Sequence, residues 1–392
     1  MWGDYMKILI TPMAAMAQTN GCMSRATEIC NELLRKGHEV AFCAAEDINY
    51  KPVQGIRNYY APIPSPLGLP MILGKRAFKI AQTLGVQQRK TVNSFEEVLQ
   101  FTGANSVGYF VKDLAYLRQA IRDFTPDIVY SEFRLSAIVA AKLEHITVAA
   151  SVSYPTQTSF ACNPKYSKKI RSYLQSKNLP TISSILDIFQ WADIKFVLSS
   201  FELEPFDDKR VIFTGAFFTP SKFEPCNHSN VIIAYMGNGS ITTKKVIKEL
   251  ISAFRGSSYS VYIASTDTYP IQMDNIVVDK YFDFKNLMPQ AVAYINHGGQ
   301  NSIMTGLLYG VPQIICAGNV FERKYNADTI AKLSAGLSIT PTEFTAKTLK
   351  SAISLFESND RYRSNALRYG KAMAELGGTG KLVEILEQYP TV

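Results

Sequence analysis

The stretch that most constrains this chain is Asn296–Ala327, NHGGQNSIMTGLLYGVPQIICAGNVFERKYNA. It follows an apolar run, Ala291–Ile295, that reads as a buried strand. The turn His297-Gly298-Gly299 comes next, then helical spacing over Ser302–Tyr309. Gly310-Val311-Pro312 stops that helix and opens a second strand at Gln313–Cys316. A strand, a glycine turn and a helix N-terminus together make an anion site, because unpaired backbone N–H groups and the positive end of the helix dipole point at the turn. His297 adds a side-chain donor beside them. Two glycines alone would read as an ordinary turn of a parallel sheet; the ensemble is more specific.

The same geometry occurs earlier. An apolar strand begins at Val231, runs into Gly237-Asn238-Gly239-Ser240, and a helix follows over Lys244–Phe254. The chain opens with a βαβ unit: strand Lys7–Thr11, helix Ser24–Lys36, strand Glu39–Ala44. Further strands are expected at Pro126–Tyr130 and Thr147–Val152 with the helix Ser136–Leu143 between them, and short ones at Phe196–Ser199 and Val211–Thr214. Gly215–Ser229 has prolines and no periodicity, which is linker chemistry. The order predicts an α/β chain of two doubly wound, Rossmann-like domains facing across a cleft, with ligands outside the carboxyl ends of the strands. The boundaries read 1–217, a linker at 218–228, and 229–392, the last helix (Gly380–Tyr389) crossing back or staying with the second domain.

A chain of 392 residues is long enough for two cores, and 47% hydrophobic with 19% charged residues excludes disorder. The net charge of +8 raises nucleic acid as a partner, but no nucleic-acid module is present and the anion site already accounts for basic residues. Six cysteines (Cys22, Cys30, Cys43, Cys162, Cys226, Cys316) show neither a C-x-x-C pair nor metal-ligand spacing, so they are expected to be reduced thiols of a cytoplasmic protein. No apolar run reaches the roughly 18–20 residues of a membrane span, and the start lacks the features of a signal peptide. Pro62–Lys90, with Lys75, Arg76, Lys79, Arg89 and Lys90, reads as a mobile acceptor lid, a membrane-surface helix, or a loop and amphipathic helix of the fold. Lys165, Lys168, Lys169 and Arg171 form a second basic run that either meets anionic lipid in a peripheral membrane contact or is solvated surface.

Taken whole, the Asn296–Ala327 stretch resembles the nucleotide-sugar-binding signature of the UDP-glycosyltransferase and macrolide-glycosyltransferase superfamily, which has the GT-B fold. The matching residues are His297, Gly298, Gly299, Ser302, Gly310, Val311, Pro312, Asn326 and Ala327, with Glu322-Arg323 where the family has an acidic residue and glutamine. The resemblance covers nearly the whole chain and implies an amino-terminal acceptor domain and a carboxy-terminal donor domain. It implies that His297 bonds the donor diphosphate and stabilises the departing nucleotide. Backbone amides near Gly299, Asn301 and Ser302 complete the cradle, and the Gly237–Ser240 loop helps hold the diphosphate. Such a site needs no metal and no cofactor beyond the nucleotide-sugar co-substrate, and the chain has no D-x-D pair. Glu322 takes the acid's place toward the sugar hydroxyls. Arg323 has donors and no acceptor, so it cannot copy glutamine; it reads either as altering sugar choice or as a surface or domain-bridging ion pair. Thr305 stands where many members have a ribose-binding glutamate and is too short for that contact, which favours dTDP over UDP.

The amino-terminal half departs from the family. The Gly-His pair that supplies the acceptor's general base is Gly21-Cys22 here, while Gly37-His38-Glu39-Val40 keeps the family pattern. A thiol with an ordinary pKa near 8.5 is mostly protonated at neutral pH and makes an unusual base. Cys22 therefore reads first as space-filling or as an acceptor contact, with catalysis by the thiol as the alternative, and Gly21 reads as an acceptor or phosphate contact. Glu132, where the family segment has aspartate, reads as a replacement base or as half of an ion pair with Arg134 or a lysine. Arg25 reads as a contact to donor phosphate or an anionic acceptor, or as a solvated first-turn charge. The expected function is a metal-independent, inverting glycosyltransferase acting on a small-molecule or lipid-like acceptor and moving a deoxy or otherwise modified hexose. The alternatives are an inactive homologue that serves as a binding or activating partner, and a nucleotide-sugar 2-epimerase of the same fold. The sugar, the acceptor and the oligomeric state are not legible.

Overall fold

The computed structural model describes residues 5–14, 21–45, 52–66, 69, 91–218, 230–237 and 239–389. The chain divides into two compact units, one of Met1–Thr83, Asn93–Phe218 and Leu376–Val392, the other of Leu84–Val92 and Thr219–Glu375.

In the first unit the strands are β1 (Lys7–Pro12), β2 (Glu39–Ala45), β3 (Arg57–Ala61), β4 (Ile128–Glu132), β5 (Thr147–Ser151), β6 (Ile194–Val197) and β7 (Ile212–Phe213). They form one seven-stranded sheet in the order β3-β2-β1-β4-β5-β6-β7. Every pairing is parallel. The strand order reverses between β1 and β4, so the ligand crevice of such a sheet lies beyond their carboxyl ends, where Pro12 registers with Glu132. Helices α1 (Gly21–Arg35), α2 (Phe95–Thr102), α3 (Val107–Phe124), α4 (Leu135–Leu143) and α5 (Lys168–Ser176) accompany it.

Both faces of the sheet are buried, and strand alternation divides the core. Ile8, Ile10, Val40, Phe42, Ile128 and Tyr130 pack with Ala26, Ile29 and Leu33 of α1. Leu9, Ala41, Val129 and Val148 point the other way, onto Leu117 and Ile121 of α3 and Ile138 of α4.

The second unit carries β8 (Val231–Tyr235), α6 (Thr243–Phe254), β9 (Ser260–Ala264), β10 (Ile271–Met273), β11 (Ile276–Asp279), α7 (Phe284–Leu287), β12 (Ala291–Asn296), α8 (Gln300–Leu308), β13 (Gln313–Ile315), α9 (Phe321–Lys332), β14 (Gly336–Ser338), α10 (Ala346–Ser358) and α11 (Arg361–Glu375). Its sheet order is β10-β11-β9-β8-β12-β13-β14, parallel except for the β10–β11 edge. Here the switch point lies between β8 and β12, where Tyr235 registers with Asn296. That register sets the Gly237 loop beside the His297 turn.

Two segments belong to the unit on the other side of the main boundary, the first being the last helix, for which the sequence left crossing back open. The last helix, α12 (Gly378–Gln388), belongs to the first unit, so the second ends at Glu375. Leu382, Val383 and Leu386 join the α1 side of the core, while Glu387 accepts from Lys36 at 2.9 Å and lies 3.1 Å from His38 Nε2. In the other direction Val92 belongs to the second unit, bridging to Val320 just before α9. The fold is that of GT-B proteins, two Rossmann-like α/β units.

Candidate functional site

The second unit builds its site on a buried amide. Asn296 ends β12 with no exposed surface; its Oδ1 accepts from the Gly298 N–H at 2.8 Å and its Nδ2 donates to Gln313 Oε1 at 2.8 Å. Gln313 in turn donates to the Ile303 carbonyl at 3.0 Å, tying the turn to α8. Asn326 of α9 donates to the Gly298 carbonyl at 2.8 Å. Gly298 itself has φ +82, and a Cβ there would lie 2.8 Å from the Arg323 carbonyl oxygen, so only glycine fits. Gly299 is the N-cap of α8 and has no side chain to spend on the first-turn N–H groups. A Cβ on it would lie 2.7 Å from His297 Nε2.

His297 sits between the two glycine loops. Its ring meets Tyr235 edge-on, with centroids 5.6 Å apart, and its Cβ lies 3.5 Å from where a Gly239 Cβ would stand. The residue is 9% exposed, and Nδ1 has no hydrogen-bond partner. Burial pushes the imidazole pKa down to about 3, the positive Arg323 adds to the push, and a hydrogen bond to the Tyr235 backbone opposes it. The ring is therefore neutral at physiological pH, a fixed dipole and not a cation.

The other expected donor-side residues fall around this turn. Ser240 donates to the Ala317 carbonyl at 3.1 Å, fastening the Gly237 loop to the segment after β13; Asn238 lies outside the described residues. Ser302 is buried, with its side chain near the Tyr294 phenol. Thr305 spends its hydroxyl on the Asn301 carbonyl at 2.7 Å. Glu322 and Arg323 occupy the first turn of α9, with Arg323 half-buried against Gly298. Asn296 and Gln313 were not singled out from the sequence. Their signal was a polar residue interrupting each of two apolar strands.

In the first unit, Glu132 is fully buried at the end of β4. Arg25 donates to its Oε1 at 2.6 Å, and the Ser151 hydroxyl donates to Oε2. Tyr130 bonds the same serine at 2.7 Å. Arg25 is 6% exposed, lies over the Phe133 ring at 5.3 Å, and reaches Cys22 Sγ at 3.5 Å. Two readings are corrected here. Glu132 pairs with Arg25 and not with Arg134, which is bonded to the buried Asp113. Arg25 is not a solvated charge, and its guanidinium meets a carboxylate. With both oxygens engaged and no exposed face, Glu132 has the surroundings of the ion-pair reading. Gly21 and Cys22 lie in the first turn of α1, and the Cys22 thiol is partly exposed.

A small pocket lies beside this network, lined by Met13, Ala14, Leu99, Tyr109, Phe133 and Ile185, with the Asp113–Arg134 pair in its wall. Among the described residues no cluster of metal-ligating side chains occurs and no helix is long and apolar enough to cross a membrane. The basic run is the exposed side of α5, whose Ile170 and Leu174 are buried; most of Pro62–Lys90 lies outside the described residues.

Residues 265–388 match the family described as Erythromycin biosynthesis protein CIII-like, C-terminal domain. The NDP-glycosyltransferase YjiC of Bacillus subtilis (strain 168) is 26% identical over 301 residues, 70% of this chain and 76% of the relative. Among solved structures, the glycotransferase of kitacinnamycin aligns over 98% of this chain and 99% of its own, with a TM-score of 0.74 and 17% identity. The glycosyltransferase VinC in complex with dTDP aligns over 98% and 99%, with a TM-score of 0.66 and 15% identity.

Two predictions follow from these geometries. The His297 imidazole should show no titration by NMR between pH 5 and 8. Its folded pKa lies below the unfolded value, so the unfolded chain binds the extra proton and His297 should cost stability as pH falls below about 6.5. A midpoint near 6.5 would contradict its burial. Glu132→Gln should destabilise the first unit by about 3–5 kcal/mol in chemical denaturation, because it leaves the Arg25 charge buried without its carboxylate. A loss under about 1 kcal/mol would contradict the ion-pair reading.

Proposed function

The chain is a member of the UDP-glycosyltransferase and macrolide-glycosyltransferase superfamily, and from that premise we propose that it transfers a hexose from a nucleoside diphosphate to a small, largely apolar acceptor. The observation that carries the reading is the His297 turn, where a neutral, buried imidazole precedes the N-terminus of α8, whose first turn has no side-chain cap. Negative charge gathers on the diphosphate as the glycosidic bond breaks. Donors already fixed around it stabilise that charge without reorganisation, and one such donor is worth about 2.7–4 kcal/mol. This chemistry asks for no metal, since backbone N–H groups, the helix dipole and His297 meet the charge. A single displacement by the acceptor hydroxyl inverts the sugar carbon.

The acceptor, in this reading, binds the first unit, as the resemblance implies. Glu132, whose oxygens are occupied, takes the ion-pair role. Cys22 contacts the acceptor or fills space beside it. The name of the matched family and the bound dTDP of one fold neighbour favour a natural-product acceptor and a dTDP-linked, deoxy or modified sugar. Thr305 favours the same nucleotide, since a hydroxyl bonded to its own helix cannot grip two ribose hydroxyls. Reduced thiols of a cytoplasmic protein remain part of the reading, with Cys30, Cys43 and Cys316 buried as thiols.

His297→Ala should lower turnover by about 100-fold or more with the fold retained; wild-type turnover would remove the site assignment. Calorimetric titration should show dTDP binding more tightly than UDP, with Thr305→Glu improving UDP. Tighter UDP binding by the wild-type chain would overturn the choice of nucleotide.

A further inference from the structure

Between Glu144 and Asp187 the chain has no acidic residue but five basic ones, Lys165, Lys168, Lys169, Arg171 and Lys177. They gather on α5, on the 3-10 turn Pro164–Ser167 that leads into it, and at its C-cap. The four lysines are exposed, while Arg171 is half-buried and donates to the Ser183 carbonyl at 2.5 Å. Ile170 and Leu174 of the same helix are fully buried, so α5 turns its apolar side inward and its basic side out. Among the described residues, none of the four lysines enters an ion pair.

The carboxylates around this face are engaged elsewhere. Glu144 is shared by Arg118 and Arg122. Asp187 accepts from the Ser183 and Ser184 N–H groups at 2.7 and 3.0 Å. Glu96, on α2, is fully buried and accepts from the Asn163 N–H and from the Ser167 and Ser184 hydroxyls. It fixes the base of the basic face from beneath and brings no negative charge to the surface. Nor do the lysines serve the helix. Lys168 and Lys169 are its first two residues, no acid stands in the first turn, and the Ser167 hydroxyl goes to Glu96 and leaves the helix uncapped. Cations at that end oppose the helix dipole. Their placement costs the fold and suits an external anion.

The form of the face narrows the partner. Lysines on flexible stems, spread from Lys165 to Lys177, match diffuse negative charge; a single phosphate calls for convergent donors or an arginine fork. Tyr173 of α5 meets Phe110 edge-on, with centroids 6.3 Å apart, and Lys177 lies 6.0 Å over its ring. The outward feature of α5 is therefore its lysines and not a platform for stacking bases. We propose that the exposed face of α5 is a docking surface for an anionic lipid bilayer, held by Lys165, Lys168, Lys169 and Lys177. Its use in catalysis rests on the reading above, in which the first unit takes a largely apolar acceptor; such a molecule concentrates in a bilayer. Because the apolar side of α5 is committed to the core, the attachment is electrostatic and reversed by salt, each lysine contributing about 5-fold in affinity.

Sedimentation of the full chain with phosphatidylcholine vesicles, and with mixed phosphatidylcholine–phosphatidylglycerol vesicles, tests the surface. The chain should bind only the mixed vesicles, at about 0.1 M salt and not at about 1 M, where the screening length falls from about 10 Å to about 3 Å. The triple variant Lys165→Gln, Lys168→Gln, Lys169→Gln should bind on the order of 100-fold more weakly. A control of equal charge, Lys248→Gln, Lys347→Gln, Lys350→Gln, changes three exposed lysines of the second unit and should bind like the wild type. Calorimetric titration with dTDP should not distinguish the three proteins. The proposal is overturned if the wild type ignores the mixed vesicles, or if both triple variants weaken alike, which marks net charge alone. Single-stranded RNA that displaces the vesicles and binds more tightly than they do also overturns it, in favour of a nucleic-acid partner. Vesicle binding by a chain that binds no dTDP keeps the surface and removes the nucleotide-sugar reading.

Discussion

The hydrogen bond from the Gly298 N–H to the Asn296 side chain shapes everything at the second switch point. At the buried end of an interior strand, an amide side chain that satisfies one neighbour must be satisfied at its other end, and Gln313 does this before passing the chain on to α8. The turn is thereby held in a left-handed conformation at Gly298, with α9 closed behind it. Only in that conformation does the His297 ring lie against Gly299 and Tyr235 and lose its access to water. The neutrality of His297 is thus a consequence of the turn, two steps removed from the amide that fixes it.

The two units solve the same electrostatic problem in opposite ways. At the end of β4 a carboxylate and a guanidinium are buried together, with Ser151 and Tyr130 completing the set. At the end of β12 the buried groups are neutral amides and a neutral imidazole, with one nitrogen left over. A preorganised site of dipoles is suited to charge that appears during a reaction. A closed ion pair is suited to holding strand ends in place. That contrast separates the candidate donor chemistry from the structural anchor, although both lie at topological switch points.

Much of this was legible in the sequence because the switch-point strands are buried on both faces and read as apolar runs followed by glycine. The strands β1, β8 and β12 and the helices behind them were placed within a few residues. The end of β4 was not. The strand was expected over Pro126–Tyr130, and only a partner remote in sequence, Arg25, makes a buried glutamate tolerable at its end. The identity of that partner is tertiary information, and local spacing pointed to Arg134 instead. Edge strands such as β3, with Arg57 and two tyrosines, carry mixed polarity and gave no clear period. The roles of Asn296 and Gln313 were hidden for the opposite reason: their polarity is consumed entirely by each other and by the backbone.

The most direct test of the central claim is a crystal structure of the chain with dTDP. The distal phosphate should lie within hydrogen-bond distance of His297 and of the first-turn N–H groups of α8, with the Asn296–Gly298 bond intact. A nucleotide bound away from that turn, or a turn that must unlatch from Asn296 to receive it, would contradict the account.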